Sequence, residues 1–257
     1  MIRTRVLLAG ESWVSAATHY KGFDQFGSVT FHFGAEPLVE ALRDSAFDLH
    51  YMPAHEAATA FPSTLDELAG YGAVILSDIG SNTLLLHPDV WMKGKTVPNR
   101  LKLLREYVAG GGGLMMIGGY FSFQGINGAA RWHKTPVEDV LPVSCLPIDD
   151  RLEVPEGFRA QIMEPGHPIL AGLDSEWPVL LGLNEVVLKA GPDIELLAQT
   201  PADVGSHPLL AVGRHGKGRT LAWTSDIGPH WLPDSFVAWP GYARLWRQAL
   251  QWVTQAS

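Results

Sequence analysis

A tyrosine follows a glycine-rich turn at a position where many enzymes place a nucleophile. The segment GGGGLMMIGGYFSFQG combines a glycine run, an apolar strand, the Gly118-Gly119 turn and then Tyr120. A phenol with a pKa near 10 is only about one part in a thousand ionised at neutral pH, so a nucleophilic Tyr120 needs a neighbouring base or cation. It can otherwise donate a proton or hydrogen bond to a bound oxygen, or pack over the turn. We expect a strand-to-helix bend whose free N–H groups can bind an anion.

Two Ser-Asp pairs each follow an apolar strand. Ser77-Asp78 follows VIL, and Ser225-Asp226 follows LAWT. Ligands of open α/β sheets bind beyond the carboxyl ends of the strands, so Asp78 and Asp226 are expected to face one polar crevice. The alternative is local, because Ser and Asp also cap helices and form turns.

Further polar and aromatic residues lie in segments expected to reach the same crevice. Glu11 follows the first strand and is a candidate general base if burial raises its pKa, or an ordinary solvated carboxylate if exposed. His19, in the predicted loop HYKGFDQF, suits sugar or carboxylate binding, or an interface. The remaining candidates for substrate contact in these segments are Ser12, Trp13, His55, Arg131 and His133.

The candidate residues do not have the spacing of a metal or cofactor site. Histidines 19, 55, 133 and 230 and two aspartates could supply ligands, but no His-x-His or His-Glu-x-x-His pattern occurs. The glycines at 110–113 precede their strand, which is the wrong order for a dinucleotide fingerprint. We therefore expect no metal and no cofactor.

Composition excludes several classes of partner. The chain has 257 residues, is 46% hydrophobic and carries a net charge of −8, with no basic run, so nucleic acid and membrane are not expected partners. No apolar run approaches the roughly 20 residues of a membrane span. The single cysteine, Cys145, favours a reducing compartment, so the cytoplasm is expected. Four tryptophans near the C-terminus, at positions 231, 239, 246 and 252, favour a homo-oligomer.

Strand and helix patterns alternate through the first half of the chain, which is typical of βαβ units and a parallel sheet. Strands are predicted at Arg5–Ala9, Phe47–Pro53, Ala73–Gly80 and Leu114–Ile117. Helices are predicted from Glu36-Pro37, after a Thr64–Glu67 capping box and along the Leu101–Val108 stripe.

The second half has a different character. Loops are predicted for the proline-rich stretch VLPVSCLPIDDRLEVPEG. Two strands, EVVLKA and IELLAQT, are predicted to be joined by a GPD turn. A hairpin is predicted around RHGKG. A final amphipathic helix is predicted from about Pro240. We expect residues 1–257 to form one domain, with residues 136–218 as an antiparallel elaboration at one edge of the sheet.

These segments resemble the class I glutamine amidotransferase-like superfamily, whose active members carry Gly-x-Cys-x-Gly-x-Gln on the elbow after a strand. Gly118 and Gln124 match that frame, and the motifs ILSDIGSNTLLLHP, RWHKTPVEDVLPV and SDIGPHW are similar to a narrower bacterial family that lacks the elbow cysteine. GHPILAGL is similar to sugar-linked members. The resemblance implies a flavodoxin-like three-layer α/β sandwich with a mostly parallel sheet.

The chain departs from the superfamily where the chemistry is done. Tyr120 stands at the cysteine position and Ser122 at the second glycine, while His230 is at best a displaced analogue of the activating histidine. Glutamine hydrolysis through a thioester needs a thiolate, so we expect no working glutaminase. The expected function is binding, hydrolysis or isomerisation of a small polar, sugar-like molecule, with Glu11 or His230 as base and Tyr120 as donor. The alternative is a non-catalytic binding or assembly module.

Overall fold

A central sheet organises the fold of residues 3–255, the part of the chain that the computed structural model describes. The strands are β1 (Thr4–Gly10), β2 (Ser12–Lys21), β3 (Asp24–Phe33), β4 (Phe47–Met52), β5 (Ala73–Ser77), β6 (Gly113–Ile117), β7 (Val143–Cys145), β8 (Arg151–Phe158), β9 (Gln161–Ile162), β10 (Leu180–Asn184), β11 (Val186–Leu188), β12 (Ile194–Gln199), β13 (Pro208–His215) and β14 (Gly218–Trp223). Eight of them form the central sheet in the order β4-β1-β5-β6-β14-β13-β12-β9. The four strands predicted in the first half are confirmed.

Five adjacent strands of this sheet are parallel, namely β4, β1, β5, β6 and β14. Numbered along the chain, they have the order 2-1-3-4-5, which is that of flavodoxin-like folds. The predicted fold class is therefore confirmed. The antiparallel strands β13, β12 and β9 extend one edge, and β13 and β14 form the predicted hairpin around Gly216-Lys217.

The parallel strands are apolar on both faces because helices cover both sides of the sheet. Within β1, Val6 and Leu8 point into one hydrophobic cluster, whereas Leu7 and Ala9 point into the other. The alternation follows from the two-residue period of a strand. All four side chains are fully buried, and the result is the three-layer sandwich.

The helices confirm the predicted start signals. They are α1 (Glu36–Leu42), α2 (Ala54–Ala60), α3 (Leu65–Ala69), α4 (Ser81–Leu85), α5 (Pro88–Trp91), α6 (Arg100–Gly110), α7 (Pro136–Val140), α8 (Asp234–Val237) and α9 (Pro240–Val253). Helices α1 and α9 pack on one face of the sheet, and α2, α3, α4, α6 and α7 contribute to the cluster on the other. At the start of α3, the Glu67 backbone N–H donates to Thr64 Oγ1 and the Thr64 N–H donates to the Glu67 carboxylate, which is the predicted capping box. None of these helices within residues 3–255 has the length and apolar character needed to cross a bilayer.

One prediction in the second half of the chain was wrong because tertiary pairing overrode the local signal. The proline-rich stretch predicted as loops contains β7 and β8, which pair with β11 and β10 in two small antiparallel sheets. The predicted strands EVVLKA and IELLAQT are confirmed as β11 and β12, with the predicted turn between them; β12 pairs with β13 and β9. Of the four C-terminal tryptophans, Trp231, Trp246 and Trp252 are buried inside the fold and Trp239 is partly buried.

Two further corrections concern the segments beside the candidate site. The predicted loop HYKGFDQF is the end of a long hairpin, in which β2 and β3 pair over ten residues each and turn at Gly22. The expected strand-to-helix bend is also absent: residues 118–125 form irregular turns after β6, followed by a short 3₁₀ turn at Ile126–Gly128. The glycine-rich motif after β6 therefore did not predict a helix at this point.

A glycine at the end of β1 allows the chain to pass close to the end of β5. Gly10 has φ +115°, and a β-carbon there would overlap the carbonyl oxygen of Ser77, which accepts the Glu11 N–H at 2.8 Å. We expect Gly10→Ala to lower the free energy of unfolding by about 3 kcal/mol or more, since it combines a steric overlap with a conformation that L-residues avoid. Urea denaturation followed by circular dichroism measures this change.

Gly110→Ala is the matched control. Gly110 ends α6, and a β-carbon there meets no atom within 4 Å. We expect this variant to be neutral or up to about 1 kcal/mol more stable, because alanine favours helix. Equal destabilisation by the two substitutions would contradict the assignment of Gly10 as a steric constraint.

Candidate functional site

Acidic residues converge where the neighbouring strands β1, β5, β6 and β14 end. Glu11 follows β1, Asp78 follows β5 and Asp226 follows β14, while the Gly118-Gly119 turn follows β6 between them. A β-carbon on Gly119 would lie 2.8 Å from Asp78 Oδ1 and 3.1 Å from Asp226 Oδ1. Both carboxylates thus lie beside the space that a side chain at position 119 would occupy. We call Glu11, Asp78 and Asp226 the acid cluster.

Glu11 forms the buried floor of the acid cluster. Ser77 Oγ donates to Glu11 Oε1 at 2.7 Å, and Tyr51 Oη donates to the Glu11 carbonyl oxygen at 2.7 Å. Burial raises the pKa of Glu11 well above its usual value, and the charges of Asp78 and Asp226 raise it further. Glu11 also has φ +45°, which is a strained conformation for a non-glycine residue. A carboxyl group held in this way favours its protonated form.

Asp78 links the acid cluster to the turn after β6. Its Oδ1 accepts the Phe121 N–H at 2.7 Å, and its own N–H donates to Ser122 Oγ at 3.0 Å. Burial raises the pKa of Asp78 to about 6; the Phe121 hydrogen bond opposes this rise and the Asp226 charge adds to it. Asp78 has φ +42°, so two of the three acids stand on strained backbone.

Asp226 orients an exposed histidine. Its Oδ2 lies 2.8 Å from His230 Nδ1 and accepts the Trp231 N–H at 3.0 Å. Partial burial disfavours the imidazolium form of His230, but the hydrogen bond and charge of Asp226 outweigh it and raise the pKa of His230 above its usual value. Because the His230 side chain is 38% exposed, the imidazole connects the acid cluster to solvent.

Tyr120 packs against this histidine. The edge-to-face rings of Tyr120 and His230 have centroids 4.4 Å apart, and the Arg151 guanidinium lies 5.0 Å from the Tyr120 ring centroid. Tyr120 Oη donates to Glu153 Oε1 at 3.3 Å, and Trp231 Nε1 donates to Glu153 Oε2 at 2.8 Å. Burial and the Glu153 charge raise the pKa of Tyr120. The phenol therefore remains protonated at neutral pH and is suited to donate rather than to attack.

Two residues that the sequence analysis did not single out hold the turn in place. Asn184 Oδ1 accepts the Gly119 N–H at 3.0 Å, and Asn184 Nδ2 donates to the Gly119 carbonyl oxygen and to Asp150 Oδ1. Asp150 in turn accepts the N–H groups of Gln124 and Gly125, and burial raises its pKa to about 6. These N–H groups, which the sequence suggested for anion binding, are bonded within the protein. Asp149-Asp150 and Asn184 carry no motif, since only tertiary contact brings them to this turn.

The other candidates near the turn use their polar atoms internally. Ser122 is buried and its hydroxyl donates to the Ile117 carbonyl oxygen. The Gln124 amide bonds to the Gly128 carbonyl and the His133 N–H. His133 Nδ1 lies 2.9 Å from the Cys145 carbonyl oxygen. Arg131 is exposed, with φ +60°.

The candidates in and beside the β2–β3 hairpin are only partly brought to the acid cluster. Ser12 Oγ accepts the Ala54 N–H at 2.7 Å, close to Glu11. Trp13 is exposed and stacks on His32, and His55 contacts Phe31 edge-on. His19 stacks on Phe26 near the hairpin end. Eight residues of extended strand separate His19 from Glu11 by roughly 25 Å, so His19 does not join this cluster.

Two surface cavities lie away from the acid cluster. A cavity of about 390 Å³, lined by Tyr71, Tyr107 and the glycines at 110–112, is at the amino ends of β5 and β6. A second, of about 150 Å³, is lined by Phe61, His87 and Arg100. At the acid cluster the exposed group is His230, which bonds to Asp226. No group of three or more His, Cys, Asp or Glu within residues 3–255 has metal-binding geometry.

One family model matches nearly the whole chain, and two solved structures are similar over nearly their full length. The model of the GATase1_like family, described as "Putative glutamine amidotransferase", matches residues 5–255. The Cytoplasmic Protein STM3548 of Salmonella typhimurium is 42% identical with a TM-score of 0.90, over 96% of this chain and 98% of that one. The Cytoplasmic Protein STM1381 of Salmonella typhimurium LT2 is 41% identical with a TM-score of 0.90, over 97% and 99%. Among proteins with curated descriptions, none matches the chain.

A more distant likeness extends only to the fold. A protein from Parabacteroides merdae described as "Putative thua-like protein" is 13% identical with a TM-score of 0.59, over 100% of this chain and 91% of that one.

The raised pKa of Asp78 predicts the pH dependence of stability. Between about pH 4 and 6 the unfolded chain releases this proton while the folded chain retains it, so rising pH destabilises the fold, by up to about 3 kcal/mol. We expect Asp78→Asn to reduce the fall in unfolding free energy between pH 4.5 and 7.5. Urea denaturation at both pH values measures the difference.

Asp44→Asn is the control for this experiment, because Asp44 is an exposed carboxylate outside the acid cluster. We expect it to leave the pH profile unchanged. A profile for Asp78→Asn identical to that of the unmodified protein would show that Asp78 is not held in its protonated form.

Proposed function

Because this chain belongs to the GATase1_like family, we propose that it is a glutamine amidotransferase-like protein that performs acid–base chemistry on a small polar molecule. The observation that carries this proposal is the contact of three groups: Asp226 bonds to His230 Nδ1, and His230 packs against Tyr120. Carboxylate, imidazole and phenol thus meet at the carboxyl ends of parallel strands, where ligands of this fold class bind.

His230 is the proposed base. With Nδ1–H donated to Asp226, the neutral imidazole presents Nε2 as an acceptor, and the carboxylate stabilises the imidazolium formed when a proton arrives. The raised pKa of His230 strengthens it as a base near neutral pH. Glu11 is the weaker candidate, since it is almost fully buried and bonded to Ser77.

Tyr120 is the proposed donor. Its raised pKa keeps the proton on the phenol over the range in which His230 titrates, so the two groups hold opposite roles at the same pH. Hydrolysis or isomerisation of a substrate bearing hydroxyl or carbonyl groups needs such a pair. Arg151 and Glu153 hold the phenol in place, the first by contact with its ring and the second by accepting its hydroxyl proton in a hydrogen bond.

Cysteine-dependent glutamine hydrolysis is not part of this proposal. Cys145, the single cysteine, is buried, and burial raises the pKa of its thiol well above the usual value. A thioester intermediate needs a thiolate, which this environment disfavours. We also propose a cytoplasmic location, by analogy with the two Salmonella relatives named as cytoplasmic proteins.

Tyr120→Phe tests the catalytic role of the phenol. We expect turnover to fall by about 100-fold or more with little change in melting temperature, because only the hydroxyl is removed. Incubation with a panel of aldoses, ketoses and glycosides, followed by proton NMR, measures turnover. His230→Gln should cause a comparable loss.

Tyr242→Phe is the matched control, because the Tyr242 hydroxyl is buried and donates to the Ile227 carbonyl oxygen at 2.5 Å. We expect it to lower the melting temperature and to leave turnover of the folded protein unchanged. If Tyr120→Phe behaves in the same way, Tyr120 is structural and the non-catalytic module is the better description.

The absence of glutaminase activity is a separate expectation. Incubation of the protein with glutamine should release no ammonia above the rate given by Cys145→Ser, because the buried thiol is not ionised. Ammonia release that Cys145→Ser abolishes would overturn this part of the proposal.

A further inference from the structure

The hairpin formed by β2 and β3, residues Ser12–Phe33, projects from the fold as a two-stranded arm. Its base is fixed, since Ser12 Oγ accepts the Ala54 N–H and the Gly34 N–H donates to the Glu11 carbonyl oxygen. Beyond the base, nearly every residue of both strands is exposed. Isolated two-stranded ribbons are only marginally stable in water. An arm of this length therefore needs a covering partner.

The arm exposes an unusual amount of apolar surface. Eight large apolar side chains are between 48% and 107% exposed; they are Trp13, Val14, Tyr20, Phe23, Phe26, Val29, Phe31 and Phe33. Together they present on the order of 800 Å² of apolar surface, if each contributes roughly 100 Å². The pairing register places Val14, Tyr20, Val29, Phe31 and Phe33 on one face of the arm, and Trp13 and Phe26 on the other. One face thus presents on the order of 500 Å² of apolar surface, which is the larger part of the roughly 800 Å² that each partner of a stable interface buries.

Charge favours a second copy of the chain as the partner. The whole chain has a net charge of −8, yet the only Lys, Arg, Asp or Glu in the arm are Lys21 and Asp24, which lie opposite each other at its end. The arm is thus neutral, and two arms can approach without the repulsion that two acidic bodies otherwise experience. Sheet edges exposed to solvent usually carry charges or proline that prevent pairing, and most of this arm has neither.

The strand edges point to the same partner. In residues 3–255, β2 pairs only with β3 and β3 only with β2, so each strand has an outer edge with free backbone groups. Two arms that pair edge to edge across a two-fold axis would form a four-stranded sheet, in which the side chains of each apolar face contact those of the other arm across the new pair of strands. Such a sheet satisfies the backbone groups and exceeds the size at which strands become independently stable.

We propose that the arm is a homodimerisation element that packs against the arm of a second copy of this chain. The two copies contribute the same surface, as a two-fold interface requires. The proposal rests on the arm and is independent of the chemistry proposed for the acid cluster.

The double substitution Tyr20→Asp with Val29→Asp tests the interface. Both side chains are exposed and lie on the same face of the arm, at alternating register positions. Each substitution places a negative charge on both copies of the arm, so that like charges meet in the two-fold contact. We therefore expect the dimer dissociation constant to rise about 100-fold or more. Light scattering after size exclusion should give twice 28.0 kDa for the unmodified chain and 28.0 kDa for the variant at micromolar concentration.

Met92→Asp with Ile148→Asp is the matched control, because these apolar side chains are 64% and 63% exposed outside the arm. It adds the same charge and should leave the mass of the dimer unchanged; thermal melting establishes that both variants are folded. A monomeric unmodified chain, or a dimer that survives the arm substitutions, would overturn the proposal. A monomer that sediments with phosphatidylcholine vesicles would also overturn it and would assign the arm to a membrane surface.

Discussion

The acid cluster exists because one residue among its carboxylates has no side chain. Gly119 has φ +136°, which L-residues avoid, and Asp78 and Asp226 fill the space that a side chain there would need. Asn184 holds this backbone from the other side through both its N–H and its carbonyl oxygen. The turn after β6 is therefore fixed by polar contacts, and the acids of the neighbouring strands can approach each other across it.

Bringing carboxyl groups together in a buried place has an energetic consequence. Burial and mutual repulsion raise the pKa values of Glu11 and Asp78, and both residues also stand on backbone with positive φ. Each effect opposes folding, and the surrounding sheet must offset them. Backbone strain together with carboxyl groups of perturbed pKa is typical of functional sites. The proposed chemistry is therefore assigned to the acid cluster rather than to the larger cavity at the opposite end of the strands.

The arrangement illustrates how one scaffold accommodates different chemistry. The flavodoxin-like sheet directs the ends of β5, β6 and β14 to a common edge whatever residues stand there. In this chain Tyr120 follows the turn after β6, and the group beside it is a histidine bonded to Asp226. Under the proposed function, an imidazole and a phenol replace the thiol, and the strand-end location of the site is retained.

The sequence by itself determined the parallel core of this protein, because apolar runs such as LMMI and local start signals such as the Thr64–Glu67 capping box act over a few residues. The Ser-Asp pairs after two strands likewise indicated where the acid cluster lies. Only the tertiary structure decided which polar groups meet there. Asn184 and Asp150 lie 65 and 31 residues from Gly119, and no local pattern records such contacts. The tertiary structure also showed that HYKGFDQF belongs to an extended arm. The register of a hairpin depends on pairing across the turn rather than on the composition of either strand.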